Sequence, residues 1–186
     1  MTTSVPGVFY GRSILRFGRG SRSFLPAALH SLKVQRPALV VDAGLAGHSI
    51  VSDLGDLLRS QGIPLSCADP VFADPTLERA EHLRDRIIAL GADGVVAIGG
   101  GSAIDAGKAA AMLARNPGPA ASFIGRDMFA SPPLPLIAMP TTCGTGSEVT
   151  WVSVLNDPST GTKLSLKGVG MFPAVAIVRT SSTHFL

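Results

Sequence analysis

The chain has 186 residues, 46% of them hydrophobic and 16% charged, a balance that fits one compact core and excludes a disordered chain. Its net charge of +3 is scattered, with no basic run and no basic face interleaved with aromatics, so nucleic acid is not indicated as a partner. Cys67 and Cys143 are too few and too far apart for a disulfide framework and suit a reducing cytoplasm, while the absence of any apolar run near the ~20 residues of a spanning helix argues against export and membrane insertion.

From the N-terminus, residues 2–20 alternate apolar and polar around Ser13-Ile14-Leu15-Arg16-Phe17, which predicts a strand or hairpin at a sheet edge. Residues 21–31 predict a short helix, and Pro37 to Asp42 a buried strand ending in a carboxylate. Ile50, Leu54, Leu57 and Leu58 recur at helical spacing across residues 46–60, which Gly62 stops. Residues 64–71 are a weaker strand. Asp74-Pro75 then opens a helix, with Asp74 as cap, Pro75 at its first position and Leu77, Ala80, Leu83, Ile87 and Leu90 on one face.

Val95 to Ile98 form a short β-branched run, as expected of a parallel strand buried on both faces. Gly99, Gly100 and Gly101 follow, removing side chains where a bulky anion would approach backbone N–H groups, and Ser102 is expected to cap the next helix. That helix, running to about Arg115, is apolar almost all round and so is expected to pack on more than one side. A loop rich in Pro and Gly leads to a strand over residues 134–139. Residues 149–155 and 162–166 flank a turn and read as a hairpin, and residues 174–178 as a last strand. The alternation predicts an α/β fold: a Rossmann-like, mainly parallel sheet with helices on both faces, plus the small hairpin.

The glycine turn fails three better-known patterns. Ile104 stands where the dinucleotide fingerprint needs Gly or Ala, Ala109 follows Gly107-Lys108 where a P-loop needs Ser or Thr, and Ser102 lacks the second glycine of an esterase elbow. A strand, three glycines and a helix start remain, together worth about 1–2 kcal/mol towards an anion. The alternative is a plain capping box of Ser102 and Asp105. Asp42, at a strand end, is placed either to accept both hydroxyls of an adenosine ribose, which would favour NAD over NADP, or to cap a turn; Asp74 carries the same ambiguity. The run from Thr141 to Glu148, also just past a strand, offers the hydroxyls of Thr141, Thr142 and Thr145 between glycines. His30, His48, His82 and His184 show no metal spacing, and His82 falls on a charged, solvated helix face.

GGGSAIDAGK from Gly99 and PTTCGTGSEVT from Pro140 resemble the paired signatures of the iron-containing, group III alcohol dehydrogenases, the second being the more specific. Asp74-Pro75-Thr76 stands where that family often has Asn-Pro-Thr, and Cys143 replaces a common Ala. The resemblance implies a dinucleotide-binding domain over residues 1–186, with Asp42 on the adenosine ribose of NAD, Asp74 beside the cofactor, Gly99, Gly100, Gly101 and Ser102 on the pyrophosphate, and Thr141, Thr142 and Thr145 along it. It also puts Lys163 near the nicotinamide-side ribose.

In such enzymes a divalent metal, iron or zinc, polarises a small alcohol or aldehyde. The family's metal ligands, one Asp and three His, belong to a helical C-terminal domain, and the sequence ends at Leu186, before that domain would begin; no metal ligand is therefore expected here and the catalytic residues are not assigned. The expectation is an oxidoreductase half with little or no turnover by itself. The competing expectation is a non-catalytic nucleotide-binding or interaction module. The apolar content also suits contact with another domain or with a second copy in a homo-oligomer.

Overall fold

The computed structural model describes residues 11–178. In chain order the elements are β1 Ile14–Phe17, α1 Leu25–Ser31, β2 Pro37–Val41, α2 Ser49–Arg59, β3 Ser66–Cys67, α3 Leu77–Ala89, β4 Gly94–Gly99, α4 Gly101–Leu113, β5 Gly125–Arg126, β6 Leu136–Pro140, β7 Val152–Asp157, β8 Thr162–Lys167 and β9 Val175–Val178. Six strands form one parallel sheet in the order β1-β9-β6-β4-β2-β3. The chain leaves β2 for β3 on one side and returns to build β4 and β6 on the other. The order therefore reverses between β2 and β4, and a crevice opens beyond their C-terminal ends, where sheets of this kind take ligands.

Strand alternation decides which helices cover which face. Ala38, Val40, Val95, Ala97, Leu136 and Ala138 point to one side and pack with Leu83 and Ile87 of α3 and Ile104 and Ala110 of α4. Leu39, Val41, Val96, Ile98, Ile137 and Met139 point to the other, against Leu25 and Leu29 of α1 and Leu54 and Leu58 of α2. On its far flank α4 meets a third cluster, in which Ala109, Met112 and Leu113 pack with Leu155 and Leu166. Those two leucines belong to β7 and β8, an antiparallel hairpin that β5 extends to three strands. Buried from Ala103 to Leu113, α4 runs between the sheet and the hairpin, which is why its sequence is apolar almost all round.

Several boundaries differ from the sequence reading. At the edge of the sheet β1 pairs in parallel with β9, with all four residues exposed, which is the strand form of the expectation; its residues 2–10 lie outside the described residues. Residues 21–31 divide into a 3-10 turn and α1. Ser147–Val149 form a 3-10 turn, so the first hairpin strand starts later, at Val152. Asp74 does not cap α3. It lies in the left-handed region at φ 52, and the cap is Thr76, whose Oγ1 accepts the Arg79 N–H at 3.2 Å. Pro75 accordingly precedes the cap instead of opening the helix. Thr76→Ala removes that acceptor and is expected to lower unfolding free energy by about 1 kcal/mol in a urea titration, whereas Asp74→Ala should leave the α3 start intact.

Candidate functional site

Asp42 follows β2, and its backbone N–H donates to Ile98 O of β4 at 2.9 Å, so the carboxylate is fixed beside the end of β4. Its Oδ1 accepts the Gly44 N–H at 2.9 Å and caps a short 3-10 turn. The capping reading of this residue is met by one oxygen, and the side chain stands at the reversal point of the sheet. Val71, bridged to Asp42, carries the chain from there towards Asp74.

Gly99 ends β4 at φ 145, and a Cβ added there would lie 2.6 Å from the Asp42 Cβ and 2.8 Å from the Ala103 Cβ. Only a residue without a side chain lets the strand turn between those two groups. Gly100 is the N-cap of α4 and supplies no side-chain cap. Ser102 is the second residue of the helix, not its cap, and Asp105 does not reach back to form a capping box. Its carboxylate is engaged elsewhere, Oδ2 accepting the Val154 N–H of β7 at 3.0 Å and Oδ1 accepting from the Lys108 ammonium at 3.3 Å. The first turn of α4 thus presents its amides and the positive end of its dipole with no carboxylate or hydroxyl capping them.

The second run lies directly against this turn. Thr141 N–H donates to Gly99 O at 2.9 Å, because β6 runs parallel to β4 and ends level with it. A Cβ on Gly100 would stand 3.4 Å from Thr142 Oγ1, and one on Gly101 would stand 3.0 Å from Thr145 Cγ2 and 3.3 Å from Ser147 Oγ. Thr142, Cys143, Gly144 and Thr145 are exposed. The arrangement is a side-chain-free backbone cradle walled by hydroxyls, with a carboxylate at one end. It fits a phosphate-bearing ligand with a diol group, the chemistry of a dinucleotide.

The remaining two expected residues come together elsewhere along the hairpin. Lys163 of β8 pairs across the ladder with Asn156, and Asn156 bridges Thr76. That contact brings the Lys163 Nζ to 3.8 Å from Asp74 Oδ1, an exposed pair. In water such a pair is worth little, so its meaning is placement of the two groups rather than stability. His82 is exposed on its helix face, as expected, and pairs there through Nε2 with Asp69 Oδ2; hydrogen bonding to His82 holds the Asp69 carboxyl below its usual range. His48 caps α2 by accepting the Ile50 N–H. Among the described residues no three of His, Cys, Asp and Glu gather as a metal-holding group, and no helix is long and apolar enough to cross a membrane.

Lys108, which the sequence shows within GGGSAIDAGK without a role of its own, is 1% exposed on α4 and donates to Asp105 Oδ1, Thr150 Oγ1 and Val152 O. Its signal is nonetheless present: one Asp and one Lys three apart in a helix otherwise made of Gly, Ser, Ala, Ile, Met and Leu.

Cys143, in the exposed part of the second loop, provides a probe of this site. Burial and the charge of Asp69 push the Cys67 thiol up, which slows its alkylation. Saturating NAD is expected to slow iodoacetamide labelling of Cys143 severalfold and leave Cys67 unchanged, as read by peptide mass spectrometry.

The family model described as iron-containing alcohol dehydrogenase matches residues 13–180. A sulfoacetaldehyde reductase of Bilophila wadsworthia is 35% identical over 156 residues, 84% of this chain and 40% of that protein. The probable alcohol dehydrogenase EutG of Escherichia coli is 45% identical over 172 residues, 90% of this chain and 42% of that protein. Among solved structures, sulfoacetaldehyde reductase from Bifidobacterium kashiwanohense in complex with NAD+ matches with a TM-score of 0.83 and 31% identity, over 95% of this chain and 46% of that one. The chain spans less than half the length of each of these relatives.

Proposed function

The chain belongs to the iron-containing alcohol dehydrogenase family, and we propose that residues 1–186 are the cofactor-binding half of an NAD-linked oxidoreductase of small alcohols or aldehydes. The observation that carries this reading is the seating of the Thr141–Glu148 loop on the glycine turn at the reversal point of the sheet. The relatives' names support the reaction class: one is a sulfoacetaldehyde reductase, another a probable alcohol dehydrogenase.

When bound, NAD supplies the hydride acceptor. The chain's own groups bind and orient it. The amides after Gly99, Gly100 and Gly101, with Ser102, receive the pyrophosphate at the helix N-terminus. Asp42 accepts from the adenosine ribose hydroxyls and repels a 2′-phosphate. Thr141, Thr142 and Thr145 line the same cleft as donors, and Asp74 with Lys163 flanks its nicotinamide side. Among the described residues no group of His, Cys, Asp and Glu suits the family's metal. Little or no turnover is expected from residues 1–186 by themselves. The two free cysteines support a cytoplasmic setting. Exposed Ile14, Leu15 and Phe17 on edge strand β1 support association with a second copy, testable by sedimentation.

Titrating NAD and NADP against the chain, followed by calorimetry, tests the reading. Saturable binding with NAD the tighter ligand is expected. No saturable binding of either would favour a non-catalytic interaction module, and tighter NADP binding would overturn the role of Asp42.

A further inference from the structure

Asp105 and Lys108 are the charged residues of α4, and both are buried, at 8% and 1% exposure. A lysine in such a place is costly unless its ammonium is paired and its three donors are used. Here Nζ lies 3.3 Å from Asp105 Oδ1, 3.2 Å from Thr150 Oγ1 and 2.8 Å from Val152 O. Asp105 reinforces the same seam, its Oδ2 accepting the Val154 N–H at 3.0 Å and its backbone O accepting the Ser153 hydroxyl at 2.7 Å. Burial pushes the Lys108 ammonium below the ordinary lysine range, opposed by the charges of Asp105 and Glu148. Glu148 Oε2 is itself buried and meets no hydrogen-bond partner among the described residues.

These contacts bracket the loop that lies on the glycine turn. Its first end is tied where Thr141 N–H meets Gly99 O; its second end, immediately after Glu148, is tied where Thr150 and Val152 meet Lys108. We propose that Lys108 is a positioning residue for dinucleotide binding, its buried ammonium clamping the Thr150–Val152 segment to α4 and so holding Thr142, Thr145 and Ser147 over the cradle of Gly100 and Gly101. The lysine touches no ligand; it acts through the loop. Its role also explains why the helix that offers its N-terminus to the cofactor carries a charge in its second turn: the same helix fixes both walls of the cleft. The binding part of the proposal depends on the dinucleotide reading above, whereas the loop-holding part does not.

The test compares the wild-type chain with Lys108→Met and Thr150→Val, each nearly isosteric. It measures NAD affinity by calorimetry and, without NAD, the hydrogen exchange of residues 141–148 and of β4. Lys108→Met is expected to weaken NAD binding about tenfold, the usual scale for removing a group that supports a binding shell, and to speed exchange in residues 141–148 with β4 unchanged. Thr150→Val should move both in the same direction by less, and it carries the test alone if Lys108→Met does not fold. Wild-type loop exchange in the folded variants would overturn the proposal, as would lowered NAD affinity without a change in loop exchange, since the lysine would then act on the ligand directly. Absence of NAD binding by the wild-type chain would overturn the cofactor reading and the binding half of the proposal, while loop exchange would still decide whether Lys108 holds the loop.

Discussion

Gly99→Ala is expected to lower unfolding free energy by about 3 kcal/mol and to abolish NAD binding. Two costs combine. The backbone at φ 145 is one that side chains rarely adopt, and the added Cβ would stand 2.6 Å and 2.8 Å from the Cβ atoms of Asp42 and Ala103. Neither neighbour is the end of a flexible side chain. Relief requires β2 and α4 to move apart, which displaces the carboxylate and the helix N-terminus that form the site. Gly144→Ala separates the two costs, because Gly144 at φ 104 has nothing within 4 Å of an added methyl group. It should lose only the strain, about 1 kcal/mol. Equal losses for the two variants in urea titrations would mean that the collision at Gly99 is absent.

Asp42→Asn is expected to bring NADP affinity up to that of NAD, a change of about tenfold or more in the ratio. A carboxylate near a 2′-phosphate costs on the order of 1–2 kcal/mol at the partly exposed end of a strand, and asparagine removes that repulsion. Asparagine also keeps an oxygen able to accept the Gly44 N–H, so stability should change by less than about 0.5 kcal/mol. The pair of readouts separates the two roles of this residue. Lost stability with an unchanged cofactor ratio would leave capping as its whole function.

The sheet is legible because buried parallel strands are written as short apolar runs between turn residues, and β2, β4 and β6 follow that form. Helix starts are less legible. Asp74-Pro75 and Thr76 each have the chemistry of a start, and only the left-handed backbone at Asp74 decides for Thr76. Ser102 suggests a cap, but the cap is Gly100, and a glycine cap carries no side-chain signal. The site follows the same division. Gly99, Asp42 and Thr141 sit at ends of neighbouring strands, so strand order alone brings them together. Lys108 and Thr150 are joined across 42 residues by the docking of a hairpin on a helix, which no local pattern encodes. The Asp74 and Lys163 pair depends on the bridge between Thr76 and Asn156, equally remote in sequence.

The central claim is that the glycine turn and the Thr141–Glu148 loop form one dinucleotide cleft. An amide chemical-shift map of the isotope-labelled chain during an NAD titration tests it most directly. The account predicts saturable shifts concentrated at Gly99, Gly100, Gly101 and Ser102, with Thr142, Thr145 and the amides around Asp42 moving at the same affinity. Saturable shifts confined to other surfaces, with the amides of Gly99 to Ser102 unmoved, would contradict it.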